Sequence, residues 1–510
     1  MKKISILLLS VMTLALVSCD MDKEPFDAIP ETEALNTPTD FANMRTGLYT
    51  GLRSSVGGQT FWNRVDIQCD GFHAVTGFSN TLGDMYRWTF DAETGAMATV
   101  YANYQALIAR ANFIIDGYNK CDMSDEALFT PTAVANVKKA VGDAYFIRAY
   151  ALLGLAEFFC ADYEESNADE ADGGVSFRTD YSSSSSIASY PARATLRETF
   201  DQIYDDLDKA ASYITTEGAP CDITISADAI LALRARAALA RDDYQTAANS
   251  AKALIDKQTF TLAADEDEMI DLWQQDGGNE TILQMAVASR DELPGTNPGK
   301  IFQPYQEGTV PDYIPTATLL SLYSRGDIRI PAYFNLVDIV TNTGASGTVI
   351  GFNKFIDHTR LYTQFNKYEY ARFMIEPKVF RIAEMYLIAA EAYAQLNDLT
   401  NAAKYLNELQ QARISGFNGA NYASKDELMA ELRDERQREM VGEGTRLFDL
   451  KRWHMGIQRG TPQQEDLCLL PGPATTSLVK NANDHKMVWP IPKHETDANP
   501  KVKQNPGYLN

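Results

Sequence analysis

The chain has 510 residues, is 45% hydrophobic and carries a formal net charge of -23. That much apolar material argues against wholesale disorder and suffices for one large domain or two to three ordinary ones. The acidic balance repels nucleic-acid phosphates and anionic lipid, which argues against nucleic acid as a partner and leaves a lipid anchor as the route to a membrane.

The N-terminus reads as a lipoprotein signal peptide over residues 1–18. Lys2 and Lys3 supply charge, and Ile4 to Val17 is an apolar run too short to span a bilayer comfortably. It ends in Leu16-Val17-Ser18-Cys19, the pattern of a bacterial lipobox. The small residue before the cysteine admits the signal peptidase, and the thiol takes a diacylglycerol. An ordinary secretory signal with a chance cysteine is the plainer reading. Charge, apolar run and cysteine nevertheless fall in the order lipidation needs, and more than one acyl chain anchors stably. Residues 19–40 are acidic, proline-bearing and aperiodic, and read as a flexible tether. The other five cysteines, Cys69, Cys121, Cys160, Cys221 and Cys468, fit neither a disulfide framework nor a CxxC metal pattern, and read as buried apolar residues.

Helical signals dominate the chain beyond the tether. Thr39-Asp40 can cap a helix from Phe41 to about Ser54. Met97 to Tyr118 is helix-periodic, and Pro131 suits the first turn of a helix to Phe159. Arg193 to Ile214 and Ser226 to Ala240 complete this series, and strand-like stretches are few. In Ala227 to Asp256, Ala235, Ala238, Ala247 and Ala251 share their offsets with Ala390, Tyr393, Ala402 and Leu406 in Phe380 to Arg413. Those offsets match the tetratricopeptide pattern, in which small residues let antiparallel helices approach closely. The turns Arg241-Asp242-Asp243-Tyr244 and Leu396-Asn397-Asp398-Leu399 are equivalent. The predicted fold is therefore mainly α, a tetratricopeptide-like scaffold with long irregular insertions. Its predicted regions are 41–225 and 226–510.

The insertions are where binding is expected. They are Gly57 to Phe90, Asp162 to Pro191, Glu292 to Pro315 and Gly456 to Met487. A sugar presents apolar C–H faces and a rim of hydroxyls, so its sites pair flat rings with polar side chains. Trp62 and Trp88 are candidate platforms, and Arg64, Asp66, Asp70 and Asn80 candidate hydrogen-bonding partners. Trp273, Gln274, Tyr305 and Tyr313 could complete the arc from other insertions. Any single ring among them could equally fill a loop core.

The C-terminal third carries motifs with a resemblance. Pro377 to Ala392 resembles the "R-x-AE-x-YL-x-x-AEA" helix of SusD/RagB proteins. Glu435-Arg436, Glu439, Glu443-Gly444, Arg446, Phe448-Asp449-Leu450 and Arg452-Trp453 resemble that family's "ER-x-x-E…EG-x-R-x-FDL-x-RW". Trp489-Pro490-Ile491-Pro492, Glu495, Asn499-Pro500 and Gln504 to Tyr508 resemble its terminal "PIP-x-x-E…NP…QNPGY". Arg148-Ala149-Tyr150 and Asn279 to Ile282 fit as well. The resemblance implies a lipid-anchored protein on the outer face of an outer membrane. Such a protein caps a SusC-like TonB-dependent transporter and captures an oligosaccharide or another nutrient without chemistry. A tetratricopeptide-type adaptor for a protein or peptide is the alternative.

Catalytic signals are weak. The acids of the C-terminal motifs each have an arginine within helical reach, which favours a structural network over an acid/base pair. His73, His358, His454, His485 and His494 are scattered without HxxxH or HExxH spacing, and no nucleophile elbow or phosphate loop is present. No catalytic residue and no cofactor are expected. An oxygen-ligated structural Ca2+ is compatible with the loop carboxylates but not predicted.

Overall fold

The computed structural model describes residues 34–57, 62–184, 186–289, 292, 299–304, 310–355, 359–366, 373–469 and 479–509, the side chains of Gly57, Trp62 and Thr359 apart. The expected signal peptide, Cys19 and most of the expected tether lie outside the described residues.

Helix α1 (Pro38–Gly57) begins at a capping box. The Asp40 N–H donates to Thr37 Oγ1 at 3.2 Å, and the Asp40 carboxylate accepts the Thr37 N–H at 2.8 Å. With Pro38 in the first turn, the helix starts slightly ahead of Phe41. Then come α2 (Trp62–Gln68), α3 (Gly95–Lys120) and α4 (Pro131–Phe159), the last capped by the Thr130 hydroxyl. Helix α5 (Leu196–Tyr213) is fixed by a Thr195/Glu198 capping box. Arg193, expected inside this helix, therefore precedes it and holds the C-terminal segment, donating to Lys503 O and Asn505 Oδ1.

The two repeat hairpins are α6 (Ala227–Ala240) with α7 (Tyr244–Lys257), and α8 (Ile382–Gln395) with α9 (Leu399–Arg413). Their turns match in detail. Asp242 and Asn397 are left-handed at φ 60° and 62°. The next residues, Asp243 and Asp398, cap the second helices by accepting the N–H groups of Thr246 and Asn401. Ala235, Ala238, Ala247, Ala251, Ala390 and Ala402 are all fully buried. The hairpins stack through α7 against α8, so copies distant in sequence are spatial neighbours. Helices α10 (Lys425–Met440) and α11 (Arg446–Arg452) come next; α10 packs on α8 and α9, and α11 on α2. One apolar core runs unbroken across residue 225: Phe146 of α4 meets Phe380 edge-on at 6.4 Å. Among the described residues no helix is long and apolar enough to cross a membrane.

Gly154 sets the spacing of α3 and α4. A Cβ there would lie 2.6 Å from Tyr104 Cζ, and Tyr104 is itself buried. Gly154→Ala gains about 0.8–1.0 kcal/mol of helix propensity but overpacks at a cost of about 1–3 kcal/mol. The expected result is a lowered denaturation midpoint. A raised midpoint would show that the two helices separate freely.

The insertions carry short antiparallel pairs: β1 (Phe72–Ala74), β2 (Thr281–Gln284), β3 (Tyr313–Pro315), β4 (Phe334–Val340), β5 (Ser346–Phe352) and β6 (Lys378–Arg381). Strand β1 pairs with β3, β2 with β6, and β4 with β5. The β4–β5 hairpin is a seven-residue ladder that helical periodicity does not reveal. It buries Val337 and Ile339 and turns Leu336 and Val340 outward. Helix α12 (Lys493–Ala498) lies in an otherwise extended terminal strap. There Trp489 is buried, and the Asn505 amide donates to Phe159 O and Trp489 O. Cys69, Cys160 and Cys468 are buried thiols; Cys121 and Cys221 are half-buried, and all five are free.

Candidate functional site

Pairing of β1 with β3 folds the Gly57–Phe90 insertion onto the body, and this decides the fate of the candidate ligand residues. Trp88 is buried, with its indole N–H donating to Gln68 O at 2.8 Å. Tyr313 is fully buried with its hydroxyl on Thr81 O, and burial holds its phenol well above the usual range. Trp273 is fully buried on a π-helical turn, Asp271–Gln275, with Lys354 Nζ 4.2 Å and Lys378 Nζ 4.9 Å from its ring. Arg64 is buried and donates to Ala96 O. Asp66 is buried and accepts the Gly444 N–H at 2.8 Å. Asp70 takes both Nε and a terminal nitrogen of Arg446, at 3.0 and 2.6 Å. Trp88, Tyr313, Trp273, Arg64 and Asp66 therefore build the frame and offer no face to a sugar in this structure, while Asp70 is partly exposed but held by Arg446. Two-sided packing is the physical reason. Gln274 is half-exposed and Asn80 exposed. Tyr305 and the Trp62 side chain lie outside the described residues.

What the insertion leaves at the surface is its tip. Phe78 is half-exposed and lies on two buried rings, 5.7 Å from Tyr313 and 6.5 Å from Tyr86. Arg87 sits 5.9 Å from its ring centre and donates to Asn80 Oδ1. Asn80 is left-handed at φ 67°. Ser79 donates its N–H and hydroxyl to the Asp312 carboxylate, at 2.5 and 2.7 Å, which ties the tip to β3. The result is a fixed ring with a guanidinium, an amide and a hydroxyl around it. Sequence reasoning misses Phe78 as a platform. Its place in the aromatic run, followed by Ser79-Asn80, is its only local signal.

The motif acids form a separate, interior cluster. Glu439 is fully buried and accepts from Arg329 at 3.0 Å, Arg381 at 2.8 Å and Arg413 at 2.9 Å. Arg329 also binds Asp327 and Glu435, Arg381 also binds Glu280 and Glu443, and Arg413 also binds Glu280. Burial pushes the Glu439 acid up, but Arg413, Arg381 and Arg329 outweigh it and hold it well below the ordinary range. Glu443 and Asp449 are depressed in the same way. Glu391 is held by Arg452 at 2.8 Å and by the Trp453 indole N–H at 2.8 Å. Glu384 pairs with Arg236 of α6, rather than with Arg381 one turn back on its own chain. Glu435, Glu439, Glu443 and Asp449, held below the ordinary carboxylate range, have no proton to give at neutral pH, and the geometry of the whole cluster is that of a structural ion-pair network. Gly442 and Gly444, both left-handed at φ 81° and 76°, make the turn after α10 that the Asp66 carboxylate caps.

Comparison with known proteins agrees with this architecture. Residues 333–508 match a family model described as the SusD family. Residues 21–239 match a second, described as starch-binding associating with outer membrane. SusD-like protein P38 of Formosa agariphila is 22% identical, and the alignment covers 99% of each chain. A SusD superfamily protein from Bacteroides thetaiotaomicron superposes with a TM-score of 0.76 at 23% identity, over 92% of this chain and 100% of that one. A laminarin-binding SusD-like protein superposes at 0.69 and 19% identity, over 92% and 99%. With both models matching in chain order, and with a relative and solved folds aligned nearly end to end, the chain belongs to the SusD/RagB family.

Proposed function

We propose that this protein captures glycan at the outer face of an outer membrane and passes it to a SusC-like TonB-dependent transporter. It is anchored through lipid on Cys19 and does not cleave its cargo. The observation that carries the reading is the placement of Phe78: a half-exposed ring on a rigid aromatic base, ringed by Arg87, Asn80 and Ser79. A sugar's C–H face stacks on such a ring, while its hydroxyls meet the polar side chains. The family's starch-binding description and the laminarin-binding neighbour support a saccharide as ligand. The charged cluster that could suggest hydrolysis is interior and saturated, and the reading calls for no cofactor. Gln274, half-exposed, and Tyr305, outside the described residues, remain candidate contacts from the sequence.

Calorimetric titration of the full chain with laminarin and starch oligosaccharides tests the reading. Saturable binding is expected, with no shortening of the sugar. Phe78→Ala with Asn80→Ala should weaken binding by about tenfold or more, the scale of one lost stacked ring and its polar partner. Failure of every saccharide to bind, or the appearance of shorter products, would remove it. In cells, Cys19→Ala should release the protein from the membrane fraction, and recovery of that variant with the membrane would refute the anchor.

A further inference from the structure

Helix α3, residues 176–182 and 190–191, and the strap around α12 enclose a groove of about 380 Å3, which falls in the range of small-ligand sites, about 300–1,000 Å3. None of its lining residues belongs to the Gly57–Phe90 insertion or touches the charged cluster. We propose that this groove is a second saccharide site, selective for neutral over anionic sugar units. Phe177, Tyr181 and Tyr190 would be its apolar faces, and Gln105, Asp180 and Glu495 its hydroxyl partners. The proposal shares only its ligand class with the function above.

The groove is built rather than incidental. Its loop wall has almost no regular structure, yet it is stapled from both sides. From α3, the buried Asn112 amide donates to Arg178 O at 2.9 Å and Asp180 O at 3.1 Å. Asn112 is itself held by Arg148, which reaches its Oδ1 at 2.6 Å and is locked to Asp206. The Asp116 carboxylate takes the Tyr181 N–H at 2.8 Å. From the strap, Asn499 donates to Pro191 O at 2.7 Å, and Lys501 to Ala188 O and Tyr190 O. A wall fixed before ligand arrives loses little conformational freedom on binding.

The rings are presented, not consumed. Tyr181 leans edge-on against Phe113 at 4.8 Å and stays partly exposed, as do Phe177 and Tyr190. Charge then selects the ligand. Arg178 is the one cation among the described lining residues. It is spent on Asp180, through Nε and a terminal nitrogen, and on Ser189 O. The Arg178–Asp180 pair is neutral as a whole, and Glu495, 3.1 Å from His494 Nε2, is the second carboxylate on the wall, so no cation there is left for a ligand anion. Both carboxylates can accept hydroxyl hydrogens, and neither welcomes a uronate or sulfate.

The test uses the full chain carrying Phe78→Ala and Asn80→Ala, so that the first platform is removed. It is titrated with neutral gluco-, manno- and xylo-oligosaccharides, and with oligogalacturonate and sulfated galactan fragments. At least one neutral sugar should still bind saturably. Tyr181→Ala or Tyr190→Ala should weaken it about tenfold. The anionic series should bind about tenfold more weakly than the neutral, a gap that Asp180→Asn with Glu495→Gln narrows. The two tyrosines stand on opposite parts of the loop wall, so if one variant misfolds the other still reads the groove. Residual binding indifferent to both tyrosines, or equal affinity for neutral and anionic sugars, overturns the proposal. Loss of all binding with the Phe78 pair also overturns it and leaves the proposed function standing. Absence of saccharide binding in the unmutated chain removes both.

Discussion

Glu439→Ala is expected to abolish the native fold or leave a protein that melts many degrees early. Three guanidiniums converge on this carboxylate, and all four of these side chains are buried. Removing it leaves Arg329, Arg381 and Arg413 with only Asp327, Glu435, Glu280 and Glu443, and two of those acids are already shared with other cations, Glu435 with Arg438 and Glu443 with Lys354. Breaking a buried ion pair from one side costs about 3–5 kcal/mol, against a total stability of about 5–15 kcal/mol for an ordinary domain. Here three pairs break at once. Glu439→Gln keeps the shape but turns an amide N–H towards guanidiniums, so it should fall between wild type and alanine. Soluble yield and thermal midpoint are the readouts. An alanine variant melting within about two degrees of wild type would mean the cluster reorganises around water and is not what holds the parts together.

Those parts are far apart in sequence, and this explains why the network exists. It joins residue 280 beside β2, residues 327–329 of the long insertion, Arg381 at the head of α8, Arg413 at the end of α9, and the last turns of α10. A hydrophobic cluster tolerates sliding; matched forks and carboxylates do not. The interrupted repeat therefore closes in one register although a long insertion separates its halves.

The helices are legible in the sequence because their signals are local. Pro131 and Phe159 bound α4 as periodicity and proline placement require, and the matched Asp243 and Asp398 caps sit where the repeat offsets put them. The β4–β5 hairpin is not, since a helical period hides a two-residue alternation over seven positions. The ligand residues are hard for a different reason. A sugar platform and a core aromatic are the same chemical object, and only packing on the second face separates them. For Trp88 and Tyr313 that second face comes from β1–β3 pairing and from Lys480 of the Gly456–Met487 insertion, both long-range. Trp273 is covered by Lys354 and Lys378 from the far side of the insertion. The groove on α3 draws its walls from three distant stretches, and no composition window contains them all.

Stability should peak on the acid side of neutrality and fall between pH 5 and about pH 7.5. Two sets of buried carboxylates pull in opposite directions. Glu435, Glu439, Glu443 and Asp449 are buried, but their arginine and lysine partners hold them below the ordinary range. They stabilise the fold above about pH 4.5, their unfolded range, and that help fades as pH falls through their folded values. Asp66 is the reverse case. Burial pushes it up to about 7, only partly offset by the Gly444 and Gly442 N–H groups. Burial likewise lifts Glu157 to about 7 against Arg236, and Asp143 to about 6 against Arg45. Each of these binds its proton more tightly folded than unfolded, so the fold loses stability as pH climbs from about 4 through those values. Asp66 alone is worth up to about 4 kcal/mol over that window, at 1.36 kcal/mol per unit. Asp66→Asn cannot ionise and keeps an acceptor for the Gly444 N–H. It should melt higher than wild type at pH 7.5, by a margin that narrows towards pH 4.5, and so show a shallower decline between. Thermal midpoints across pH 4.5 to 8.5 decide it. A midpoint that rises from pH 5 to 7.5, or an Asn variant with an unchanged slope, would mean that Asp66 is ionised in the folded protein and that Lys354 and the backbone N–H groups neutralise it fully.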